Sequence, residues 1–336
     1  MEQNILRNSP MQRLRRMKKI WIITLMAMLS GCVTAPITGR SQLILVGDSQ
    51  MTAMGSQAFQ QVLSQEKMLQ DSAVQQRVQT VGRRIASAAE EHLASLGQPG
   101  AFQWEFVAFD NDEVVNAWCL PGGKVAVYSG LLELTPTDDE LAVVISHEIA
   151  HAVARHGNER MSQGLLVELG GMALDAALAQ RPDQTRSLFM RVYGVSANLG
   201  LLLPYSRQQE YEADRIGLIL MARAGYDPAA AVTFWEKLSA EGGPRVPEFL
   251  STHPAPEHRI AAIRAVIAEA NQYRPSGTGV FRTAPSSAPL SRPSGYTDPA
   301  VPPPASGRAP SPAPMTVPGP PPVHAPSLAP APIPAR

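Results

Sequence analysis

The sequence has little of what would place it in several large protein classes. Two cysteines in 336 residues are too few for a disulfide framework. The charge is balanced, with 29 basic and 29 acidic residues, and gives no indication of nucleic-acid binding. No apolar run reaches the roughly 18 residues that a membrane-spanning helix needs. The apolar content, 44%, is ordinary for a globular protein, so a domain with a proper apolar core is expected.

Residues 1–31 are predicted to be a lipoprotein signal peptide. A basic cluster at residues 13–19 precedes ten apolar residues, 20–29. A helix of ten residues is about 15 Å long, half a bilayer core, which is typical of a signal peptide. The end, Leu29-Ser30-Gly31-Cys32, resembles the lipobox of bacterial lipoproteins. That resemblance implies cleavage before Cys32 and lipidation of its sulfur; the alternative is a plain secretory signal with an incidental cysteine.

The expected location is the periplasmic face of the outer membrane, with the chain lipid-anchored at Cys32. Residue 33 is Val and not Asp, which by the sorting rule for enterobacterial lipoproteins implies the outer membrane. Residues 32–47 are then predicted to be a lipidated tether, and Met11 or Met17 is an alternative start. Cys119 is left without a partner and is expected to be a small buried apolar residue.

The remaining chain divides into a domain at residues 48–273 and a Pro-rich tail at 274–336. The patterns predict an α+β fold, mainly helical, with a small β-sheet before the helix that carries His147, Glu148 and His151. Helices are expected at 48–96, from Asp138 or Asp139 to about Arg155, and at 158–180, 185–200, 206–224 and 228–240; strands are expected at 102–109 and 124–128. The tail holds most of the 31 prolines and is predicted to be disordered, either a spacer or a ligand for an unidentified partner.

The segment Ser146-His147-Glu148-Ile149-Ala150-His151 carries the predicted chemistry. Residues i and i+4 lie about 40° apart around a helix, so both imidazoles project from one face and can bind one Zn²⁺. Glu148 is adjacent to the first ligand and can act as general base, then general acid. The flanking residues are apolar, and metal ligation would offset the cost of burying these polar groups.

A third zinc ligand is expected from a second helix. The metzincin pattern needs Gly at 154 and His at 157, whereas the sequence has Ala154 and Gly157, so that class is excluded. His156 would lie about 180° around the helix from His147 and cannot reach the same ion. Downstream, Glu210 and Asp214 share one helix face. Glu210 can ligate the metal and Asp214 can accept the free N–H of a ligand histidine, while Glu212 is predicted to face elsewhere. On its own, this acidic run could instead be a solvated helix face.

These motifs resemble metallopeptidase family forty-eight, the gluzincins that include the HtpX and Oma-type proteases and periplasmic lipoprotein members similar to LoiP and BepA. The resemblance rests on H-E-I-A-H and S-R-x-x-E-x-E-A-D-x-x-G, together with N-A-x-x-x-P-G-G at 116–123 and S-T-H-P-x-x-x-x-R at 251–259. It covers roughly residues 45–270. It implies a zincin-like domain holding one Zn²⁺ per chain, and the activity of a zinc metalloendopeptidase.

The resemblance also implies roles for four further residues. The strand that begins at Asn116 and Ala117 is expected to pair with an extended substrate. His253 is a candidate fourth zinc ligand that caps the resting site, and Arg259 a candidate for stabilising the oxyanion. Alternatively, His253 lies in a turn and Arg259 forms a structural ion pair.

The resemblance therefore implies a protease for unfolded or misfolded envelope proteins, acting in periplasmic protein quality control. Two other classes stay open. One is a zinc-binding chaperone or assembly factor for outer-membrane proteins with little proteolysis. The other is a structural lipoprotein whose Pro-rich tail contacts peptidoglycan or a partner.

Overall fold

The computed structural model describes residues 32–170, 172–193, 206–240, 247–253 and 258–275. The predicted signal peptide, the alternative start sites and residues 276–336 of the predicted tail lie outside the described residues, as does the end of the helix expected at 185–200. The described residues all fall in one compact unit. None of the described helices is long and apolar enough to cross a membrane.

Helices form most of the unit, as the α+β prediction required. Their bounds are α1 Asp48–Gln65, α2 Ser72–Ser95, α3 Ser129–Leu134, α4 Asp138–Val153, α5 His156–Glu168, α6 Leu174–Gln180, α7 Pro182–Tyr193, α8 Arg207–Arg223, α9 Ala230–Ala240, α10 Pro247–Thr252 and α11 Arg259–Asn271. The helical pattern expected at 48–96 forms two helices, and Asp71 caps the second by accepting from the amides of Ala73 and Val74. The helix expected at 158–180 is also two, α5 and α6.

A three-stranded sheet precedes α4. Its strands are β3 Glu105–Phe109, β4 Ala117–Leu120 and β5 Lys124–Tyr128, in the order β3-β5-β4. The central strand, β5, pairs parallel with β3 and antiparallel with β4. Gly122 and Gly123 turn the chain between β4 and β5 with φ of 86° and 90°, a conformation that favours glycine. The sheet thus leaves β4 on one edge.

The segment predicted to be a tether packs as part of the folded unit. Strands β1 Cys32–Thr34 and β2 Ser41–Leu43 pair antiparallel, so the N-terminal segment forms a hairpin. Arg40, in the loop between the two strands, forms ion pairs with Glu159 of α5 and Glu212 of α8. The pattern of residues 32–47 gave no indication of these charge pairs, since their partners lie more than a hundred residues away.

Helix α4 lies in the core, packed against α2, α8, α9 and β4. Its N-cap is Thr137 and not Asp138 or Asp139: Thr137 Oγ1 accepts from the amide of Glu140, and the Glu140 carboxylate accepts from the amide of Thr137. The helix ends at Val153, two residues before the predicted end. Arg155 then adopts a left-handed conformation with φ of 62°, and α5 begins at His156. The chain therefore changes direction directly after the H-E-x-x-H segment.

Candidate metal and active site

Three polar side chains of α4 are buried together. His147, Glu148 and His151 are 4%, 2% and 2% exposed, although the helix around them is apolar. The i, i+4 spacing brings Nε2 of His147 to 3.0 Å from Nε2 of His151. Two imidazoles therefore present the same ring nitrogen to one point.

Glu210 reaches this point from α8. Its Oε2 lies 3.4 Å from Nε2 of His147, and its Oε1 lies 3.4 Å from Nε2 of His151. The first turn of α8 is fixed by Ser206, whose hydroxyl accepts from the amide of Gln209 in a capping box. Gly217 allows α8 to approach α4, since an added Cβ would lie only 3.1 Å from the amide nitrogen of His147. The structure thus brings the three predicted zinc ligands together.

His253 lies at the same point. Its Nδ1 is 3.2 Å from Nε2 of His147 and 3.2 Å from Oε1 of Glu210, and its Nε2 is 3.3 Å from Oε1 of Glu148. The four ligand atoms of His147, His151, Glu210 and His253 all lie within 4.8 Å of one another. His253 therefore occupies the position that a capping ligand requires, and its role as the cap stays a prediction.

The donor set fits a zinc ion. Two donors of a tetrahedral Zn²⁺ at 2.0–2.1 Å stand about 3.3–3.4 Å apart. The pairs of His147, His151, Glu210 and His253 measured above fall between 3.0 and 3.4 Å. The Oε1 atom of Glu148 is buried and, although Nε2 of His253 lies 3.3 Å away, it has no hydrogen bond within the part of the chain that is described. An ion and its water would satisfy this cluster of otherwise crowded polar atoms.

Asp214 and Arg259 support His147 from behind. Asp214 Oδ1 lies 3.1 Å from Nδ1 of His147, so Nε2 of that ring is left for the metal. Arg259 donates to Asp214 and also pairs with Glu210, Nη1 to Oε2 at 2.7 Å. Its guanidinium lies 3.7 Å from the ring centre of Trp235 and is 1% exposed. These contacts are those of a positioning residue; the oxyanion role predicted for Arg259 remains a prediction.

His156 and Glu212 belong to the site in a way that sequence reasoning missed. The 180° separation from His147 assumed one continuous helix, but the turn at Arg155 brings Nδ1 of His156 to 2.9 Å from Nδ1 of His151. Glu212 does face away from the ligand cluster, and its Oε2 lies 3.0 Å from Nε2 of His156. The turn residues, Ala154 and Arg155, are neither glycine nor proline, so their identity did not predict the break in the helix.

Burial and charge set the protonation of the cluster. Burial raises the pKa of Glu148, as is typical of a general base. Burial opposes ionisation of Glu210, yet the charges of His253 and Arg259 hold its pKa well below the usual range. Burial lowers the pKa of His151 well below its ordinary value. For His147, the hydrogen bonds to Asp214 and Glu210 outweigh burial and raise the pKa to about 9, so a metal competes with a proton there.

A cleft beside Glu148 runs along β4. It is lined by Asn116, Ala117, Trp118, Cys119, Glu148, Arg160, Val192, Tyr193, Thr252 and His253. Within the described residues no strand pairs with the second edge of β4. The side chain of Asn116 accepts from the amide of Ala117 and fixes the start of the strand.

Cys119 is a free buried thiol, and burial raises its pKa well above the ordinary value. The side chain of Cys32, the predicted lipidation site, is not among those described.

A helix carrying His-Glu-x-x-His, a glutamate from a second helix and a cleft beside an edge strand together define a zinc metallopeptidase. Comparisons with known proteins agree. The model of peptidase family M48 matches residues 72–267. The mitochondrial metalloendopeptidase OMA1 of Arabidopsis thaliana is 42% identical over 176 residues, which are 52% of this chain and 32% of the relative.

Two further relatives are 30% identical. OMA1 of Saccharomyces cerevisiae aligns over 249 residues, 71% of this chain and 70% of the relative. The beta-barrel assembly-enhancing protease of Escherichia coli aligns over 278 residues, 78% of this chain and 54% of the relative. The chain thus spans about a third of the plant protein and about half of the bacterial one. It belongs to peptidase family M48, whose members use zinc.

Proposed function

We propose that this chain is a zinc-dependent metalloendopeptidase that cleaves extended segments of unfolded or misfolded envelope proteins. The observation that carries the proposal is the buried cluster of His147, His151 and Glu210 beside the Glu148 carboxylate. Zinc held by these three side chains would polarise a peptide carbonyl and activate a water molecule for attack.

Each protein group then has a defined task. Glu148 takes a proton from the attacking water at its carboxylate and passes it to the nitrogen of the leaving amine. Its raised pKa, caused by burial, suits both directions of transfer. Asp214 keeps the N–H of His147 on Nδ1, and Arg259 keeps Asp214 in place. His253 lies 3.3 Å from the Glu148 carboxylate and lines the same cleft, so we propose that it moves aside before each turnover.

The substrate is proposed to bind as an added strand on β4. Strand β4 lies at the edge of the sheet and lines the cleft that contains Glu148. An extended peptide can pair with the amides and carbonyls of such an edge with little regard to its side chains. A folded protein offers few extended segments, so unfolded chains are the preferred class of substrate.

The proposed setting is the periplasmic face of an outer membrane, with a lipid on Cys32 as the anchor. The basic and apolar segments before Cys32 support it, as does the name of the E. coli relative, a beta-barrel assembly-enhancing protease. That name also favours a second candidate function, a zinc-binding assembly factor for outer-membrane proteins with little proteolysis. The two OMA1 relatives are named as mitochondrial, so the N-terminal sequence is the main support for the proposed location.

One substitution separates the two functions. Glu148→Gln keeps the size and polarity of the side chain and removes the base. We expect it to lower casein cleavage by about 10²–10⁴-fold, with zinc content unchanged. Glu113→Gln, an exposed glutamate outside the cleft, is the matched control and should cleave as the wild type. Cleavage that survives in the Glu148 variant would refute the proposed mechanism. A wild type that binds zinc but does not cleave would favour the assembly factor.

A further inference from the structure

We propose that His156 is a positioning residue for the zinc ligand His151, and that Glu212 and Arg40 couple it to the N-terminal hairpin. The proposal concerns the metal ligand and does not depend on which protein is cleaved. Asp214 performs the corresponding task for His147, so the two ligand histidines have different supports. The Asp214 carboxylate contacts His147 directly. The support of His151 is the neutral ring of His156, which is in turn held by the Glu212 carboxylate.

The hydrogen bonds around His156 fix its tautomer. Glu212 Oε2, a carboxylate oxygen, lies 3.0 Å from Nε2 of His156 and can only accept, so Nε2 carries the hydrogen. The Nδ1 lone pair of His156 then faces Nδ1 of His151 at 2.9 Å and accepts its N–H. That arrangement leaves the lone pair of His151 on Nε2, the atom 3.0 Å from Nε2 of His147. Both ligand rings therefore offer Nε2 to the metal.

Glu212 is itself held from the hairpin. Arg40 Nε donates to Glu212 Oε2 at 2.6 Å, and the hydroxyl of Thr38 donates to Oε1. Arg40 also donates to both carboxylate oxygens of Glu159, from Nη1 at 2.9 Å and Nη2 at 2.7 Å. Gln209, one residue before the ligand Glu210, donates to the same carboxylate of Glu159 at 2.8 Å. A continuous path thus runs from the loop between β1 and β2 to both helices of the metal site.

Burial makes this path strong. His156 is fully buried, and Glu212 and Glu159 are 8% and 6% exposed. Charge-assisted hydrogen bonds gain strength where water is excluded. The turn that aims His156 at His151 requires a left-handed backbone at Arg155, a conformation that costs about 1–2 kcal/mol for a residue other than glycine. A strained conformation at the residue beside His156 is consistent with a functional role for the position of the His156 ring.

The test compares two substitutions at His156 in the full chain. His156→Phe keeps a ring and removes the acceptor, while Glu212 keeps Arg40 and Thr38 as partners. His156→Asn places an amide oxygen close to the position of Nδ1 and keeps the acceptor. We expect the zinc dissociation constant, measured by chelator competition, to rise about 10–100-fold in the Phe variant. The Asn variant should recover most of that loss.

Replacing zinc with cobalt(II) gives a visible absorption spectrum that a change in packing alone would not shift. We expect the visible absorption bands of the cobalt protein to shift in His156→Phe, because His151 is no longer held in one orientation, and to return in His156→Asn. A folded Phe variant with wild-type zinc affinity and cobalt spectrum would overturn the proposal. Equal losses in the Phe and Asn variants would overturn it as well, since the acceptor would then not matter.

Two arginine substitutions test whether the hairpin is coupled to the metal site. Arg40→Ala removes the charge that holds Glu212, and we expect a rise of several-fold in the zinc dissociation constant. Arg264→Ala removes an exposed ion pair with Glu236 and should leave the constant unchanged. This comparison also serves if the His156→Phe variant does not fold. Identical zinc affinity in the two alanine variants would show that the hairpin is not coupled to the metal.

Discussion

Arg259 binds the Asp214 carboxylate through two hydrogen bonds of 2.8 Å, from Nε to Oδ2 and from Nη2 to Oδ1. The same guanidinium reaches Oε2 of Glu210 at 2.7 Å. One buried cation therefore serves both the predicted carboxylate ligand and the support of a histidine ligand. Burial by itself would lower the pKa of Arg259, but Asp214 and Glu210 raise it above the ordinary value.

We expect Arg259→Met to lower the free energy of unfolding by about 3–5 kcal/mol, because it leaves two buried carboxylates without their cation. Urea denaturation with chelator present measures the loss. Added zinc should reduce it, since the metal neutralises Glu210. Arg264→Met on the same helix is the control: its ion pair is more than half exposed, so its loss should stay within about 1 kcal/mol. Equal losses at both positions would contradict a special role for Arg259.

A substitution at His253 tests whether this side chain caps the metal site. Its Nδ1 lies as close to Nε2 of His147 and Oε1 of Glu210 as a fourth ligand would, so an incoming ligand must displace it. We expect His253→Ala to bind a peptide hydroxamate at least about tenfold more tightly, a gain of roughly 1.4 kcal/mol from the displacement no longer needed. The inhibition constant for casein cleavage measures this. His258→Ala, at an exposed histidine, should leave the constant unchanged. An unchanged constant in His253→Ala would argue against the cap.

Much of the site could be predicted from sequence because its residues lie at helical spacing. His147 and His151 share a face of α4, and Glu210 and Asp214 share a face of α8, as the 3.6-residue period requires. The predicted mixed, mainly helical fold is confirmed, and the strand expected at 124–128 has those bounds. These features depend on neighbours within a few positions of the chain.

The rest depended on contacts between distant segments. His156 reaches His151 because α4 ends at Val153 and Arg155 adopts a left-handed conformation before α5 begins. Arg40 meets Glu159 and Glu212 across more than a hundred residues. Periodicity reports which face of a helix is apolar, but it does not report which charged groups two faces bring together. The segment at 32–47 therefore resembled a tether in sequence although it is packed in the structure.

Gly217 sets the distance between the two ligand helices. An added Cβ there would lie 3.1 Å from the amide nitrogen of His147 and 3.2 Å from the carbonyl oxygen of Ser146, both backbone atoms that cannot rotate away. We expect Gly217→Ala to weaken zinc binding about tenfold or more, since Glu210 is carried by the displaced helix. The metal-free protein should lose less stability than the clash alone would cause, because alanine favours a helix over glycine by about 1 kcal/mol.

Gly164→Ala is the matched control for this change. Its Cβ would come closest to the side chain of Leu188, 2.7 Å from Cδ1, and not to a backbone atom, and it lies on α5, away from the ligand cluster. Zinc titration of both variants, with thermal unfolding in chelator, separates the effect on the metal from the effect on the fold. Zinc binding that is equally weakened in both variants would show that α8 does not need this close approach.

His92 gives the fold a pH dependence that does not involve the metal. It is 2% exposed, neither ring nitrogen has a hydrogen bond within the described part of the chain, and its ring packs edge-on against Tyr273 at 5.8 Å between centres. Burial, followed by the charge of Arg223, lowers the pKa of His92 from 6.5 to about 4. The native protein therefore holds this imidazole neutral where the unfolded chain would protonate it.

The direction of this pH dependence follows from which state, folded or unfolded, binds the proton. Above pH 6.5 the ring is neutral in both states and contributes nothing. As pH falls from 6.5 to about 4, only the unfolded chain gains the proton, so native stability declines by up to about 3 kcal/mol. We expect His92→Phe to remove this decline. Urea denaturation in chelator at pH 7.0, 5.5 and 4.5 should show the variant gaining stability relative to the wild type as pH falls, because all other titrating groups are common to both proteins. Parallel stability curves over that range would mean that His92 accepts a proton in the folded state.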